Sequence, residues 1–320
     1  MTLRYHTFQN TDPPVLANIW RSRSGQRGFL QPVSADLFEQ YVMAKPYFDY
    51  KGLFVARQDD RPAGFAHAAF GSNESGDKLS YELGVTCVVV VRPDCAEAET
   101  ASGLLERCEQ YLRSRGARVL YGGAIRPLNP FYLGLYGGSE LPGVLDSDLV
   151  ARELYRSHNY KEVDRTIILH GDLRTFLAPI DRRQQQIRRK MLVQVTADPP
   201  TRNWWEACTI GDFDLTRFEL VPRGGGPPLA HATVRNMEAT SMSGPARMAG
   251  LIELGAERSH RRRGLATFLL TEVFRQLIRQ GFTFIEAQTM QHNVAGVGLY
   301  RKLGFREVDQ GIVFRKEAGR

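Results

Sequence analysis

The chain contains no run of eighteen apolar residues, so nothing in it is long enough to serve as a membrane-spanning helix. Its opening, MTLRYHTFQN, lacks the charged-then-apolar order of a secretory leader, and the expectation is a soluble, cytoplasmic protein with no membrane partner. Cysteine is scarce: Cys87, Cys95, Cys108 and Cys208 have neither metal-ligand spacing nor the density of a disulfide framework, and nothing here asks for a metal. A three-glycine dinucleotide fingerprint is also missing. What is present is 42% apolar content over 320 residues, enough for two cores. The formal net charge of +7 is unevenly spread. Residues 1–173 hold 19 basic and 21 acidic side chains, whereas residues 174–320 hold 23 and 14, so the two parts carry −2 and +9.

The most informative stretch is residues 251–270, LIELGAERSHRRRGLATFLL. Leu251, Ile252 and Leu254 read as a buried strand, the arginine-dense segment as a turn, and Gly264-Leu265-Ala266 as the start of a helix. That helix carries Phe268, Leu269, Leu270, Val273, Phe274 and Leu277 at helical spacing. A strand feeding such a loop into a helix start aims several unpaired amides and the positive end of the helix dipole at one point, which is an anion site. The loop itself is Arg261-Arg262-Arg263-Gly264-Leu265-Ala266, and it resembles the R/Q-x-x-G-x-G/A loop that holds the pyrophosphate of acetyl-CoA in the GNAT superfamily of N-acetyltransferases. A second element lies at the family's distance. After a strand at 282–287, the segment from Asn293 to Phe305 is similar to N-x-x-A/G-x-x-x-Y-x-x-x-G-F at Asn293, Tyr300, Gly304 and Phe305.

From the beginning, residues 4–9 alternate as a strand, and Pro13-Pro14 precede a helix through Leu16, Ile19 and Trp20. Ser34 caps a second helix, and residues 51–70 read as a hairpin around QDDRPA. This is the order in which a GNAT domain begins. A buried strand at 85–91 leads to a helix from about 97 to 115, whose Leu104-Leu105 and Ala101 fall on Leu269-Leu270 and Ala266 at an offset of 165. The chain therefore contains an internal repeat. Asp148 to Val163 falls on Asn293 to Val308 at an offset of 145, with Leu-Tyr-Arg and Glu-Val identical. The twenty-residue difference is an insertion at 127–147, whose Gly, Pro and aromatic content predicts a packed loop over a cleft. A strand at 165–170 closes the first copy. A second begins with strand 191–196, helix 203–210 and a hairpin at 215–235. The joining segment has five Arg/Lys in nine residues, Arg182–Lys190. No aromatic residues alternate with these charges, so a solvated linker helix is favoured over a nucleic-acid patch.

The expected fold class is thus α/β (α+β), with two tandem GNAT domains, each a mixed central sheet flanked by helices, in an architecture similar to mycothiol synthase. The expected boundaries are a degenerate first domain at 1–173, a linker at 174–190 and a second domain at 191–320 with an intact acetyl-CoA loop. In the first copy the loop positions hold Arg92, Asp94, Glu97 and Glu99, placing carboxylates where phosphate would sit. Each like charge within about 5 Å, at an effective dielectric of 20, costs on the order of 3 kcal/mol.

The resemblance implies an acetyl-CoA-dependent N-acetyltransferase that works by direct attack of an amine, with the second domain catalytic and acetyl-CoA as co-substrate. A non-catalytic CoA-binding or interaction module is the alternative. It further implies that Arg261, Arg262, Arg263, Gly264, Leu265 and Ala266 hold the pyrophosphate. Leu254, Gly255 and Ala256 would pair with the pantetheine and supply an oxyanion donor where strand four splays from strand five. Tyr300 would be the general acid. Glu253 is the chosen base, with Glu286 and His231 in reserve, and Asn293 either fixes the pantetheine arm or caps a helix. The acceptor is expected to be a small-molecule or peptide amine. Its identity and the oligomeric state are not written in these residues.

Overall fold

The computed structural model of the chain describes residues 2–179, 181–237 and 247–319. In chain order the first elements are β1 (Leu3–Thr7), α1 (Pro13–Arg21), α2 (Ala35–Phe38), β2 (Leu53–Gln58), β3 (Arg61–Ser72), β4 (Leu79–Val91) and α3 (Glu97–Ser114). These are followed by β5 (Val119–Gly122), α4 (Leu133–Tyr136), β6 (Val144–Leu145), α5 (Leu149–Ser157), β7 (Lys161–Asp172), α6 (Arg182–Lys190) and β8 (Met191–Ala197). The rest comprises α7 (Trp204–Ile210), β9 (Leu215–Pro222), β10 (Ala230–Asn236), β11 (Met248–Ala256), α8 (Leu265–Arg279), β12 (Phe284–Met290), α9 (Val294–Lys302) and β13 (Arg306–Glu317). Among the described residues no helix is long and apolar enough to cross a membrane.

The first hairpin turns more tightly than its sequence suggests. Asp59 and Asp60, both left-handed at φ 46° and 63°, form a two-residue turn whose twist matches the strands, so β2 and β3 extend into the expected six-residue loop.

Two compact units emerge, and neither is a continuous part of the chain. Unit 1 comprises Met1–Thr166, Thr201–Asp212 and Asp309–Arg320; unit 2 comprises Ile167–Pro200 and Phe213–Val308. These differ from a division at 173 and 190 in three segments, each with a physical reason. The end of β13 joins unit 1 by pairing antiparallel with β5, Phe314 opposite Gly122 and Lys316 opposite Leu120. Ile312 and Phe314 are fully buried there beside Leu104, Leu105 and Leu120, and Lys316 Nζ reaches the buried Glu109 carboxylate at 2.9 and 3.0 Å. Reciprocally, the end of β7 lies beside β12 in unit 2, where Ile167, Leu169 and Leu173 enter the core around Phe268 and Phe274. The helix α7, expected in the second domain, belongs to unit 1. The Trp205 ring lies 5.0 Å from that of Tyr47, its amide donates to Gly76 O at 2.9 Å, and Lys45 pairs with Asp212 at 2.7 Å.

The internal repeat survives in the strand registers. In unit 1, His67 opposes Val88 and Ala68 opposes Thr86, which leaves Cys87 as a bulge; in unit 2, Thr233 opposes Glu253 and Val234 opposes Leu251, which leaves Ile252. Cys87 and Ile252 are 165 residues apart, the offset read from the sequence. The parallel β4–β5 ladder ends at Thr86 opposite Gly122, and the β11–β12 ladder ends at the equivalent Leu251 opposite Ala287. Past those points each strand pair diverges and opens a slot in its sheet.

Candidate active site

In unit 2 the slot and the arginine loop meet. Leu254, Gly255 and Ala256 lie beyond the last β11–β12 pair, held on their other edge by β10, so the edge once shared with β12 is open. The bulge at Ile252 lets Leu251 and Leu254, three positions apart, both face the apolar core. After Ala256, a turn of 3-10 helix (Arg258–His260) delivers Arg261, and α8 starts at Leu265 with Gly264 as its N-cap. Arg262 and Gly264 are left-handed, at φ 58° and 80°. For Gly264 this conformation costs little, but for Arg262 it costs roughly 1–2 kcal/mol. Among the described residues, none of the amides of 262–266 donates a hydrogen bond. A curved run of open donors backed by a helix dipole is what a diphosphate requires.

One cleft is lined by Leu254, Gly255, Ala256, Arg261, Arg262, Gly264, Leu265, Ala266, Asn293 and Tyr300. Of the residues singled out from the sequence, Arg263, Glu253, Glu286 and His231 are not among those lining it. Asn293 caps α9, its Oδ1 accepting from the Gly296 amide at 3.1 Å, while its Nδ2 donates to Thr289 Oγ1 at 2.9 Å. Capping and a place on the cleft wall thus coexist. Tyr300 is buried, with its ring 5.3 Å from Phe305, and reaches the cleft from α9.

The carboxylates separate into two pairs. Glu253 accepts from Thr233 Oγ1 at 3.3 Å and lies 3.5 Å from His231 Nε2, so the chosen base and one reserve form a unit. Gly255 makes room for this: a Cβ there would stand 2.4 Å from His231 Cε1. Glu286 is buried and takes His170 Nε2 at 2.9 Å and Gln288 Nε2 at 3.1 Å, which engages both of its oxygens away from the cleft. His170 was not anticipated. It lies on β7 at the end of the first copy, and nothing in its local sequence tells that this strand serves unit 2.

Residues 189–305 match the model of the Acetyltransferase (GNAT) family. Over those residues the chain is similar to a GNAT domain. No curated protein matches the chain. Among solved structures, a tandem GNAT protein from the clavulanic acid biosynthesis pathway is 14% identical and superposes with a TM-score of 0.70, covering 100% of this chain and 99% of its own. A GCN5-related N-acetyltransferase from Sphaerobacter thermophilus is 16% identical, with a TM-score of 0.66 and coverage of 99% and 96%. At such identities the likeness concerns the fold, which is a tandem GNAT fold with mixed sheets flanked by helices.

Unit 1 repeats the GNAT frame without the GNAT loop. Its helix α3 starts at Glu97, whereas the offset of 165 sets the start of α8 against Thr100, so an extra turn of helix replaces the open loop. The Ala96 amide is occupied by Gln58 Oε1 at 2.9 Å. Arg92 is locked onto Asp94 by two hydrogen bonds of 2.9 and 3.0 Å, and the guanidinium holds that carboxyl below the usual range. Val88 stands at the register position of Glu253, and His67, at that of Thr233, is kept neutral by burial with a pKa of about 3. Tyr155 occupies the place of Tyr300, buried beside Thr86 O at 3.5 Å. Among the described residues no group of His, Cys, Asp or Glu is arranged to hold a metal ion.

Proposed function

We propose that the GNAT domain transfers an acetyl group from acetyl-CoA to the amine of a small molecule or peptide by direct attack through a tetrahedral intermediate. The observation that carries this reading is the convergence of ten residues, chosen from two separate sequence motifs, on the cleft where strand pairing stops. The amides of 262–266, flanked by Arg261, Arg262 and Arg263, hold the diphosphate. The open edge of Leu254–Ala256 aligns the pantetheine arm and offers a backbone amide to the developing oxyanion. Tyr300 gives a proton to the departing sulfur, and Glu253, outside the cleft lining with His231 beside it, takes through a water the proton that the ammonium must lose. The bound CoA ester supplies the activated acyl group.

Calorimetric titration of the full chain with CoA should give one site per chain, because the loop of unit 1 is closed and acidic. Incubation with acetyl-CoA and a panel of amines, followed by thiol release, should then give turnover. One CoA bound without thiol release for any amine would favour the non-catalytic module; no CoA bound would end the reading.

Glu253→Gln should lower kcat by about 10²-fold with little change in CoA affinity, the scale of a lost general base. A base works only when deprotonated, so the wild-type rate should fall on the acid side of its pH profile, and the variant should lack that limb. An unchanged pH–rate profile would exclude Glu253.

A further inference from the structure

The basic segment Arg182–Lys190 is a helix, α6, as its sequence suggests, but it is not a free linker. It belongs to unit 2 and lies on α8, burying Ile187 and Gln184 while its arginines remain exposed. The contact falls at the loop glycine. A Cβ on Gly264 would stand 2.9 Å from Arg183 Cδ and 3.4 Å from Gln184 Nε2, so the Arg183 stem runs against the residue that opens the phosphate-holding turn. Arg183 is exposed and is not among the residues lining the cleft, so the guanidinium beyond Cδ can swing toward an anion held at the amides of 262–266. Among the described residues no carboxylate pairs with Arg183, whereas Arg188, further along the same helix, is committed to Glu272 at 2.9 Å. CoA carries about four negative charges near neutral pH, and a cation on a neighbouring helix adds to those of the loop.

We propose that Arg183 is a cofactor-binding residue that takes a phosphate group of CoA together with the loop at Gly264. The inference rests on the reading of the cleft as a CoA site and adds to it a ligand from outside the motif. A guanidinium on a stem already packed against the loop loses little freedom on binding and forms charge-assisted bonds to phosphate oxygens. Gly264 then has two reasons to lack a side chain: its left-handed backbone and the room that Arg183 needs.

The test is calorimetry on the full chain with CoA and with 3′-dephospho-CoA, comparing wild type, Arg183→Ala, Arg183→Lys and Arg189→Ala. Arg189 is exposed on the same helix, and its removal changes the net charge equally, so long-range attraction cancels in the comparison. Arg183→Ala should weaken CoA binding by about 10–100-fold, the scale of a lost charged hydrogen bond. Arg183→Lys should recover part of that loss, and Arg189→Ala should shift affinity less than about threefold. If the Arg183→Ala effect disappears with 3′-dephospho-CoA, the partner is the ribose phosphate; if it persists, the partner is the diphosphate. Equal affinities for Arg183→Ala and Arg189→Ala, with wild type binding CoA normally, would overturn this inference and leave the cofactor site intact. Failure of the wild type to bind CoA would overturn both.

Discussion

Tyr300→Phe should reduce kcat by about 10²-fold while leaving the affinity for CoA within about twofold of wild type. The two effects separate because of how the residue is held. Its ring projects from α9, is buried and packs on Phe305 at a centroid distance of 5.3 Å, so phenylalanine preserves the wall of the cleft and removes a single oxygen. A hydroxyl that donates to the departing sulfur acts as the carbon–sulfur bond breaks, and its loss appears in turnover rather than in binding. The pH dependence provides an independent readout. A phenol must be protonated to donate, so wild-type turnover should fall on the alkaline side of its pH profile, and the variant should show no such limb. Tyr155→Phe is the matched comparison: it occupies the repeat position in unit 1, buried beside Thr86 O, and its replacement should leave kcat unchanged. Equal turnover in wild type and Tyr300→Phe would remove Tyr300 from the chemistry and return it to the core.

The parts of this site that could be read from sequence are those set by local physics. A left-handed glycine before an apolar-periodic helix fixes where the helix starts and where its amides are open, and Gly264 at φ 80° is that residue. The repeat was equally legible, because the bulges at Cys87 and Ile252 and the ends of both parallel ladders must keep one spacing if both copies keep one fold. The rest depends on partners far away in the chain. The core-facing pattern Gly311-Ile312-Val313-Phe314 marks a buried strand but does not name the sheet that receives it. For Arg182–Lys190, helical spacing puts Gln184 and Ile187 on one face, but no periodicity tells that this face meets α8 beside Gly264. Likewise, nothing local in the sequence shows that His170, 116 residues away, lies on Glu286.

Phe314→Ala carries the largest expected effect on stability, and its location is the informative part. Phe314 is four residues past Gln310 in the last strand of the sequence, in the half that holds the GNAT domain, yet its side chain is fully buried in the core of unit 1, with its ring 5.5 Å from Tyr155. Truncating a buried phenylalanine removes apolar contact and leaves a cavity, at a cost of about 3–5 kcal/mol out of a total stability of about 5–15 kcal/mol. For a unit of this size that corresponds to a fall in Tm of roughly 6–20 °C. The three tryptophans, Trp20, Trp204 and Trp205, all lie in unit 1, so their fluorescence follows that unit alone. The Trp transition of Phe314→Ala should therefore move down by that amount, while CoA binding measured below the transition is retained, because every residue lining the cofactor cleft is in unit 2. Had β13 closed the sheet of its own half, the same substitution would damage CoA binding first and leave the tryptophan signal at its wild-type midpoint. That second pattern would show the strand assignment to be wrong. The first would mean that neither copy can be cut free at residue 190 without losing a strand its core needs, so that residues 191–320 expressed alone would lack Ile167, Leu169 and Leu173 and should fail to bind CoA.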